Sequence, residues 1–600
     1  AGDIEEGFKQ ADHVMEFEIY LPAFASHFPN PSGSVAWWDM DPYKGDEPVL
    51  HIEGAVRERL PISKMYNVPL ENVVQESLFM GGKYCDWGLR RSQEITPLLA
   101  RRTGRPVRCV NTRYETFDFS MKQRFIKVKV GFTKDGLITA IDDYSVADGG
   151  TRGSSTFGTT GDQQHGPYNS IKCPNIRQQM EIVDSNRGMM YVSGQHCPFN
   201  WDIITVANYI IAEKLGKDPI EVARLNLHGP SSKEDEAPVP SFDRCVEEGK
   251  KLMNWQWHPA RGKRLPDGRW HGMSFRYQMC PRHSVSGYTC KLEFKDGVVY
   301  MPTQGPVFGA FMVEAVAMVV AEEVGIPYED LKIVYDYREK FSPVGGGADG
   351  STASAWAMKE CANLLKQEIL KAAIEYAESM PNFAFMPLNS DPPPQPGPFK
   401  GLKPEDLDIQ DGMIFVKADP SKAVPLKNAT PKPLVATYQG RPPLAPWLTG
   451  GGGRQLDCMN ALFCEVAVDE ETGEVEILRF GAAVDAGKVL RPTSLESQVH
   501  QNLYFSQGCQ LFEDFIYDER TGVRLNNNMI DYKKVTMLDV PEIETEFLET
   551  RAGNAAYGAT GISHSLANTH LVITAIYNAI GVWVDPPATP DKVLRALGKA

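Results

Sequence analysis

Glycine-rich turns are the residues of this sequence with the most direct chemical use. Gly345-Gly346-Gly347-Ala348-Asp349-Gly350 follows a strand-like stretch and opens a helix, which fits the G-x-G-x-x-G spacing whose backbone N–H groups can approach a phosphate. That strand ends at Tyr335 and Pro343 intervenes, so the tight strand–turn–helix geometry is missing; anion binding and a flexible loop both stay open. Met80-Gly81-Gly82-Lys83 closes another strand-like stretch, Asn72 to Phe79, where two glycines permit a ligand close to the backbone or serve only as a turn. Gly450 to Gly453 has the composition of a flexible linker.

Metal-ligand and nucleophile patterns give less. The 12 histidines include no His-x-x-x-His, and the 11 cysteines include no Cys-x-x-Cys. A zinc ribbon or an iron–sulfur cluster held by this chain alone is therefore not expected, and scattered thiols point to a reducing compartment. There is no Gly-x-Ser-x-Gly elbow, so hydrolase chemistry has no positive support.

The elements that position these residues belong to a large globular chain. Its 600 residues, 42% hydrophobic and 23% charged, can bury a substantial core. The excess of 77 acidic over 62 basic residues repels polyphosphates, and the densest basic run, Arg90, Arg91, Arg101, Arg102, Arg105 and Arg108, is spread along a helix and its exit, so nucleic acid is not an expected partner. The longest apolar stretch, Phe311 to Val324, is broken by Glu314, Glu322 and Glu323, so no membrane span is expected. The N-terminal AGDIEEGFKQADHV lacks an apolar signal core, and the expected location is cytoplasmic.

Period-two alternation predicts hairpins at Phe125–Phe132 with Leu137–Tyr144, at Cys290–Met301 around Asp296-Gly297, and on either side of Glu471-Thr472-Gly473. Helical spacing predicts segments at about Gly88–Arg102, Asn200–Leu215, Pro219–Leu227, Val313–Val324, Thr352–Ser379, from Gln498 to about Phe505, and a final one over Thr569–Ile580. Pro387 to Pro398 can sustain neither helix nor sheet and starts a proline-rich excursion of about 387–450, with order resuming near Cys464. Alternating elements of this kind imply mixed α and β layers.

In order along the chain, Met80-Gly81-Gly82-Lys83, Gly104-Arg105-Pro106-Val107-Arg108, Cys173-Pro174-Asn175-Ile176-Arg177, Leu215-Gly216-Lys217-Asp218-Pro219 and Arg224-Leu225-Asn226 resemble the molybdenum-binding subunit of the xanthine oxidase and aldehyde oxidase family. Val324-Gly325-Ile326-Pro327, Gly350-Ser351-Thr352, Asp485-Ala486-Gly487, Ser497-Gln498 and Gln507-Gly508 continue the likeness. The resemblance implies an α+β fold of two large mixed α/β molybdopterin-binding domains, 1–240 and 241–600, with the cofactor at their interface. It implies molybdopterin carrying Mo held by the pterin dithiolene, in a cytosine dinucleotide form, with [2Fe-2S] and FAD on partner subunits. The family's hammerhead domain is not found in this sequence and is expected on another subunit or segment.

Carried over residue by residue, the resemblance places the cofactor against Gly81, Gly82, Ser193, Gly194, Gly309, Ala310, Gly347, Ala348, Asp349, Gly350, Ser351, Gln498 and Gly561, and the substrate against Glu53, Met80, Gln195, His196 and Ile562. Several positions depart from the family. Met80 replaces a phenylalanine, Glu53 stands where a glutamine contacts the metal's oxygen, Tyr191 to His196 lose an arginine and an aromatic ring, and Gly309-Ala310 replaces Gly-Gln. The catalytic Gly-Glu becomes Gly561-Ile562, and isoleucine cannot accept a proton. A general base contributes about 10²–10⁴-fold, so a hydroxylase needs a substitute; Glu53 is the first choice, ahead of Asp162, His165, His196 and His564.

The function expected is therefore a molybdenum-dependent oxidoreductase, of hydroxylase or dehydrogenase type, acting on a small, non-purine organic substrate and passing electrons to iron–sulfur and flavin partners. The alternatives are a molybdenum-dependent hydratase or lyase adding water to an activated C=C bond without net redox change, and a cofactor-free structural subunit.

Overall fold

A computed structural model describes residues 2–25, 33–39, 47–54, 59–76, 91–117, 123–150, 168, 171–186, 201–227, 239–282, 287–304, 309, 311–336, 353–379, 397–442, 455–549, 556–559, 561–562 and 570–600. Four of its sheets have four strands and one has three, and helices cover them to give an α+β fold.

The first sheet runs in the order His13–Leu21, Arg124–Phe132, Ile138–Gly150, Asn175–Asp184, the last pair parallel and the others antiparallel. The hairpin predicted around Lys134-Asp135-Gly136 is present, closed by Gly136 N donating to Thr133 O at 2.8 Å. Helices Trp201–Leu215 and Pro219–Asn226 cover this sheet with Ile203, Ile204, Ala207, Ile211 and Ala223. Asp218 starts the second helix by accepting from Ile220 N at 2.8 Å, and Pro219 occupies the first turn where no N–H is needed.

A smaller sheet, ordered Val73–Glu76, Val49–Gly54, Gly33–Asp39, Val107–Val110, has its own core of Ala36, Leu50, Ile52, Ile62 and Val73. Helix Arg91–Thr103, predicted over about Gly88–Arg102, packs on it; residues 77–90 lie outside the described set.

The third sheet, Glu542–Leu548, Val475–Asp485, Gln455–Val468, Trp270–Arg282, is packed on both faces. Along strand Gln455–Val468, Ala461 and Phe463 join the core that holds Phe242 and the helices on the first sheet, whereas Leu462, Cys464 and Val466 face helix Leu571–Ile580. That two-residue alternation welds the first and third sheets through one apolar layer, drawn from both sides of residue 240.

The fourth sheet, Leu331–Tyr335, Val298–Thr303, Tyr288–Lys295, Leu434–Gly440, carries helices Met312–Val324 and Ala355–Ser379. Its predicted hairpin turns on Asp296 and Gly297, both at positive φ (53° and 82°), the backbone of a two-residue turn that matches strand twist.

Three expectations are corrected. Regular structure is present well ahead of Cys464: Leu407–Gln410, Met413–Val416 and Asp419–Pro425 form a three-stranded sheet, and Leu434–Gly440 is an edge strand of the fourth sheet. Strands of four to seven residues with intervening prolines hide their alternation; the first three pair with one another, and Leu434–Gly440 takes its partner from the distant Tyr288–Lys295. The helix predicted from Gln498 starts at Pro492 and runs to Leu511, with proline in its first turn. A further helix, Pro590–Ala596, follows the one predicted to be last. Among the described residues no helix is long and apolar enough to cross a membrane.

Candidate functional site

Two of the predicted cofactor residues meet. Gln498, in helix Pro492–Leu511, donates from Nε2 to the carbonyl of Gly309 at 3.3 Å and to Gln501 Oε1 at 3.3 Å. A Cβ built on Gly309 would meet nothing within 4 Å, so the turn faces open space. Phe311 follows with φ +48°, a left-handed conformation uncommon outside glycine, and caps helix Met312–Val324. The guanidinium of Arg491 lies 4.3 Å above the Phe311 ring. Burial raises the pKa of Tyr328, with a further contribution from Glu314 and an opposing one from Arg491, so these three side chains share one neighbourhood.

The same segments hold buried polar atoms without a partner among the described residues: Gln304 Nε2, Glu314 Oε2, His500 Nε2 and Asn502 Oδ1. Buried amides and imidazoles are costly to leave unpaired, and a pterin edge supplies alternating donors and acceptors. The residues present therefore fit a molybdopterin, with Gln498 and the Gly309 backbone as the groups that would hold it.

The segment predicted to carry the family's acid–base residue is anchored from two sides. Gly487 forms an antiparallel bridge with Ala559, and its φ of +61° and a Cβ position 2.0 Å from Gly558 O admit only glycine. This brings Asp485-Ala486-Gly487 against Ala559, two residues before Gly561, which is buried, and three before Ile562, which is half-buried against the apolar cluster of helix Leu571–Ile580. On the far side, Gln510 Oε1 accepts from Val572 N at 2.8 Å and Ile573 N at 3.0 Å, capping that helix, while its Nε2 donates to Ser506 O. Helix Pro492–Leu511 thus contributes Gln498 at one end and fixes the exit of the Ile562 segment at the other.

A buried charged group lies near helix Pro492–Leu511, with Asp202 close enough to act on Cys509. Arg276 Nη1 donates to Asp202 Oδ1 at 2.7 Å, with both side chains almost fully buried, and His570 Nδ1 is 3.8 Å from the same oxygen. Burial lowers the pKa of Arg276 against the pull of Asp202. Asp202 opens the helix that follows Gln195 and His196, and His570 precedes the helix that follows Ile562. Nearby, the buried Glu513 accepts from Tyr532 Oη at 2.8 Å and Lys534 Nζ at 2.9 Å, and Tyr532 Oη accepts from Ala25 N at 2.9 Å.

Glu53 is placed differently from the other candidates. It is exposed on strand Val49–Gly54, opposite Val35 and in register with Glu76, and no hydrogen bond or ion pair joins its carboxylate to another described residue. Met80, Gly81, Gly82, Ser193, Gly194, Gln195, His196, Ala310, Gly347, Ala348, Asp349, Gly350 and Ser351 lie outside the described residues, as do Asp162, His165 and His564. Arg491, Phe311 and the Asp202–Arg276 pair were not singled out from sequence. Arg491 carried one usable signal, the following Pro492, which marks a helix start and hence an N-cap position.

An α+β protein with buried amides around an open glycine turn is a cofactor-binding protein in its architecture. Residues 1–227 and 248–541 each match a family described as molybdopterin cofactor-binding domain. The chain is 24% identical to a probable xanthine dehydrogenase chain of Bacillus subtilis, over all of this chain and 78% of the relative. It is 25% identical to the aldehyde oxidoreductase molybdenum-binding subunit of Escherichia coli, over 99% of this chain and 77% of that one. In fold it superposes on quinoline 2-oxidoreductase from Pseudomonas putida 86 with a TM-score of 0.80 at 18% identity, covering 100% of this chain and 78% of the other. The chain belongs to the molybdenum-binding subunits of the xanthine oxidase family.

Proposed function

We propose that this protein is the molybdenum-cofactor-binding catalytic subunit of a multi-subunit oxidoreductase, with its two molybdopterin domains divided near residue 240. The observation that carries the reading is the Gln498–Gly309 contact, where a side-chain amide meets an open backbone turn among buried, unpartnered polar atoms. Relatives named as subunits, among them the gamma subunit of the 6-hydroxypseudooxynicotine dehydrogenase complex of Paenarthrobacter nicotinovorans, support a multi-subunit complex; [2Fe-2S] and FAD are proposed on partner chains, and the hammerhead domain on a further subunit or segment. The cofactor is proposed in its cytosine dinucleotide form and the complex in the cytoplasm, in keeping with the free cysteines among the described residues.

When bound, the molybdenum centre supplies two-electron redox chemistry or Lewis-acid activation of water. The protein's own part is to hold the pterin through Gln498 and Gly309, to line the cavity with Met80, Gln195, His196 and Ile562, and to provide a proton acceptor elsewhere. Met80, Gln195 and His196 would make a more polar, less aromatic cavity, which favours a small aliphatic or alicyclic substrate over a purine. Glu53 is the proposed acceptor; its exposed carboxylate is free of described partners and would have to meet the substrate from the small sheet.

A second reading has its own observation. Ile562, a hydrocarbon packed against the core where the family places a glutamate, favours a hydratase or lyase that adds water to an activated C=C bond. Metal analysis with pterin extraction of the purified complex tests the common element: stoichiometric molybdenum is expected, and its absence would leave only the structural-subunit reading. Turnover of a panel of aldehydes, N-heterocycles and unsaturated alicyclic compounds then separates the two enzymes. An oxidoreductase stops when the electron acceptor is withheld under anaerobiosis, whereas a hydratase continues at full rate.

A further inference from the structure

Away from the candidate site, two histidines form a hydrogen-bonded chain that neutral rings cannot satisfy. His258 Nδ1 lies 2.9 Å from the Pro259 carbonyl, His258 Nε2 is 3.0 Å from His271 Nδ1, and His271 Nε2 is 2.6 Å from Glu465 Oε1. His271 is fully buried on strand Trp270–Arg282. A carbonyl only accepts. Against the upward push of burial, hydrogen bonds from His271 and Arg479 hold the Glu465 carboxyl down to about 2, so this end also only accepts. Both ends of the chain therefore require an N–H and the central contact requires a third, while two neutral imidazoles carry two.

We infer that His258 and His271 form an internal proton-binding site that holds one shared positive charge in the folded protein. The surrounding charges agree. Glu465 and Glu544 from neighbouring strands face Arg479, which bridges them at 2.6 and 3.3 Å. From the other side, Glu213 of helix Trp201–Leu215 accepts from Ala260 N at 2.8 Å, and Tyr577 of helix Leu571–Ile580, raised in pKa by burial and by Glu213, stays neutral. Lys263 lies on the histidines' own loop. On the same loop Arg261 and Arg264 are paired to Glu470, so the carboxylates that face the histidines are Glu465, Glu544 and Glu213, with Arg479 and Lys263 as the cations. A second proton would set two cations 3.0 Å apart, and burial, opposed by the Pro259 hydrogen bond and helped by the His271 and Lys263 charges, lowers the pKa of His258.

The site moors the loop that precedes strand Trp270–Arg282. His258 O accepts from Asn578 Nδ2 at 2.9 Å, and Asn578 in turn accepts from Met273 N and Arg261 N. Losing the shared proton removes one of the three bonds in the histidine chain and loosens this brace to the end of helix Leu571–Ile580.

The test is urea unfolding of the full chain between pH 7 and 8.5. An unfolded histidine has an ordinary pKa of about 6.5 and is mostly neutral there, so the folded protein binds more protons and its stability falls as pH rises. One retained proton lowers the folding equilibrium constant by about tenfold per pH unit. In Glu465→Gln the new amide can donate to His271 Nε2, two neutral rings then satisfy every contact, and that slope is expected to disappear. His258→Ala, which removes the acceptor for His271 Nδ1, is expected to flatten it too and serves where Glu465→Gln does not fold. An equal slope in wild type and variant would overturn the inference, as would a ¹⁵N-histidine spectrum at pH 7.5 lacking a ring protonated at both nitrogens.

Discussion

Asp202 and Arg276 are joined 2.7 Å apart with side chains no more than 2% exposed, and they tie the start of a helix in the N-terminal part of the chain to a strand of the third sheet. Taking both ions out of water is costly, so the pair contributes little net stability, but breaking it strands one charge. Asp202→Asn is expected to destabilise the protein by about 3–5 kcal/mol, while a joint Asp202→Leu and Arg276→Met replacement recovers most of that loss. Urea midpoints of the single and double variants check this; a single variant as stable as wild type would show that the charge is compensated elsewhere.

Asp143 gives a pH signature. It is fully buried on strand Ile138–Gly150, bonded by Tyr168, and burial raises its pKa to about 6 against the opposing effects of Tyr168 and Arg124. A carboxyl whose folded value exceeds its unfolded one binds its proton more tightly when folded. Its stabilising contribution is therefore complete below about pH 4 and is lost as pH rises through 6. Relative to wild type, Asp143→Asn should gain up to about 3 kcal/mol between pH 4 and 7, measured by chemical unfolding at both pH values.

Gly487→Ala probes the anchor of the Ile562 segment. The added methyl would meet Gly558 O at 2.0 Å from a backbone already at positive φ, so the bridge to Ala559 must open. A loss of about 1–3 kcal/mol is expected from backbone strain alone. Molybdenum content of the purified variant should fall with it, and full metal loading would separate this bridge from the cofactor site.

Gln498→Ala removes the amide that reaches Gly309 from a helix otherwise well packed by Val499, Leu503 and Phe505. Thermal stability should change by less than about 1 kcal/mol, the size of one hydrogen bond, while pterin retention drops severalfold. Unchanged pterin content would remove Gln498 from the set of cofactor ligands.

Glu53→Gln decides the proton acceptor. If Glu53 is the base, turnover falls by about 10²–10⁴-fold with the cofactor still bound. Near-normal turnover would return the role to the segments around His196 or His564.

Much of the architecture was legible in the order of residues because its signals are local. Asp296-Gly297 and Lys134-Asp135-Gly136 force turns between alternating strands, and Asp218-Pro219 opens a helix whatever surrounds it. The glycine turns and Gln498 also announced a molybdopterin protein, since a recurring motif order survives large changes in packing. The strands between 407 and 440 were missed because they are only four to seven residues long and interrupted by prolines, and the last of them pairs with the distant Tyr288–Lys295.

The site divides along the same line. Sequence alone determined that the family's glutamate position is Ile562, that Met80 replaces a ring, and that the cysteines lack a cluster spacing, because these are facts of residue identity. Only the tertiary structure decided that Gln498 meets Gly309, that Gly487 braces Ala559 just before Ile562, and that His258, His271 and Glu465 form one hydrogen-bonded chain. These contacts join residues up to about two hundred positions apart, and neither periodicity nor motif carries the distance between side chains that only the packed sheets bring together.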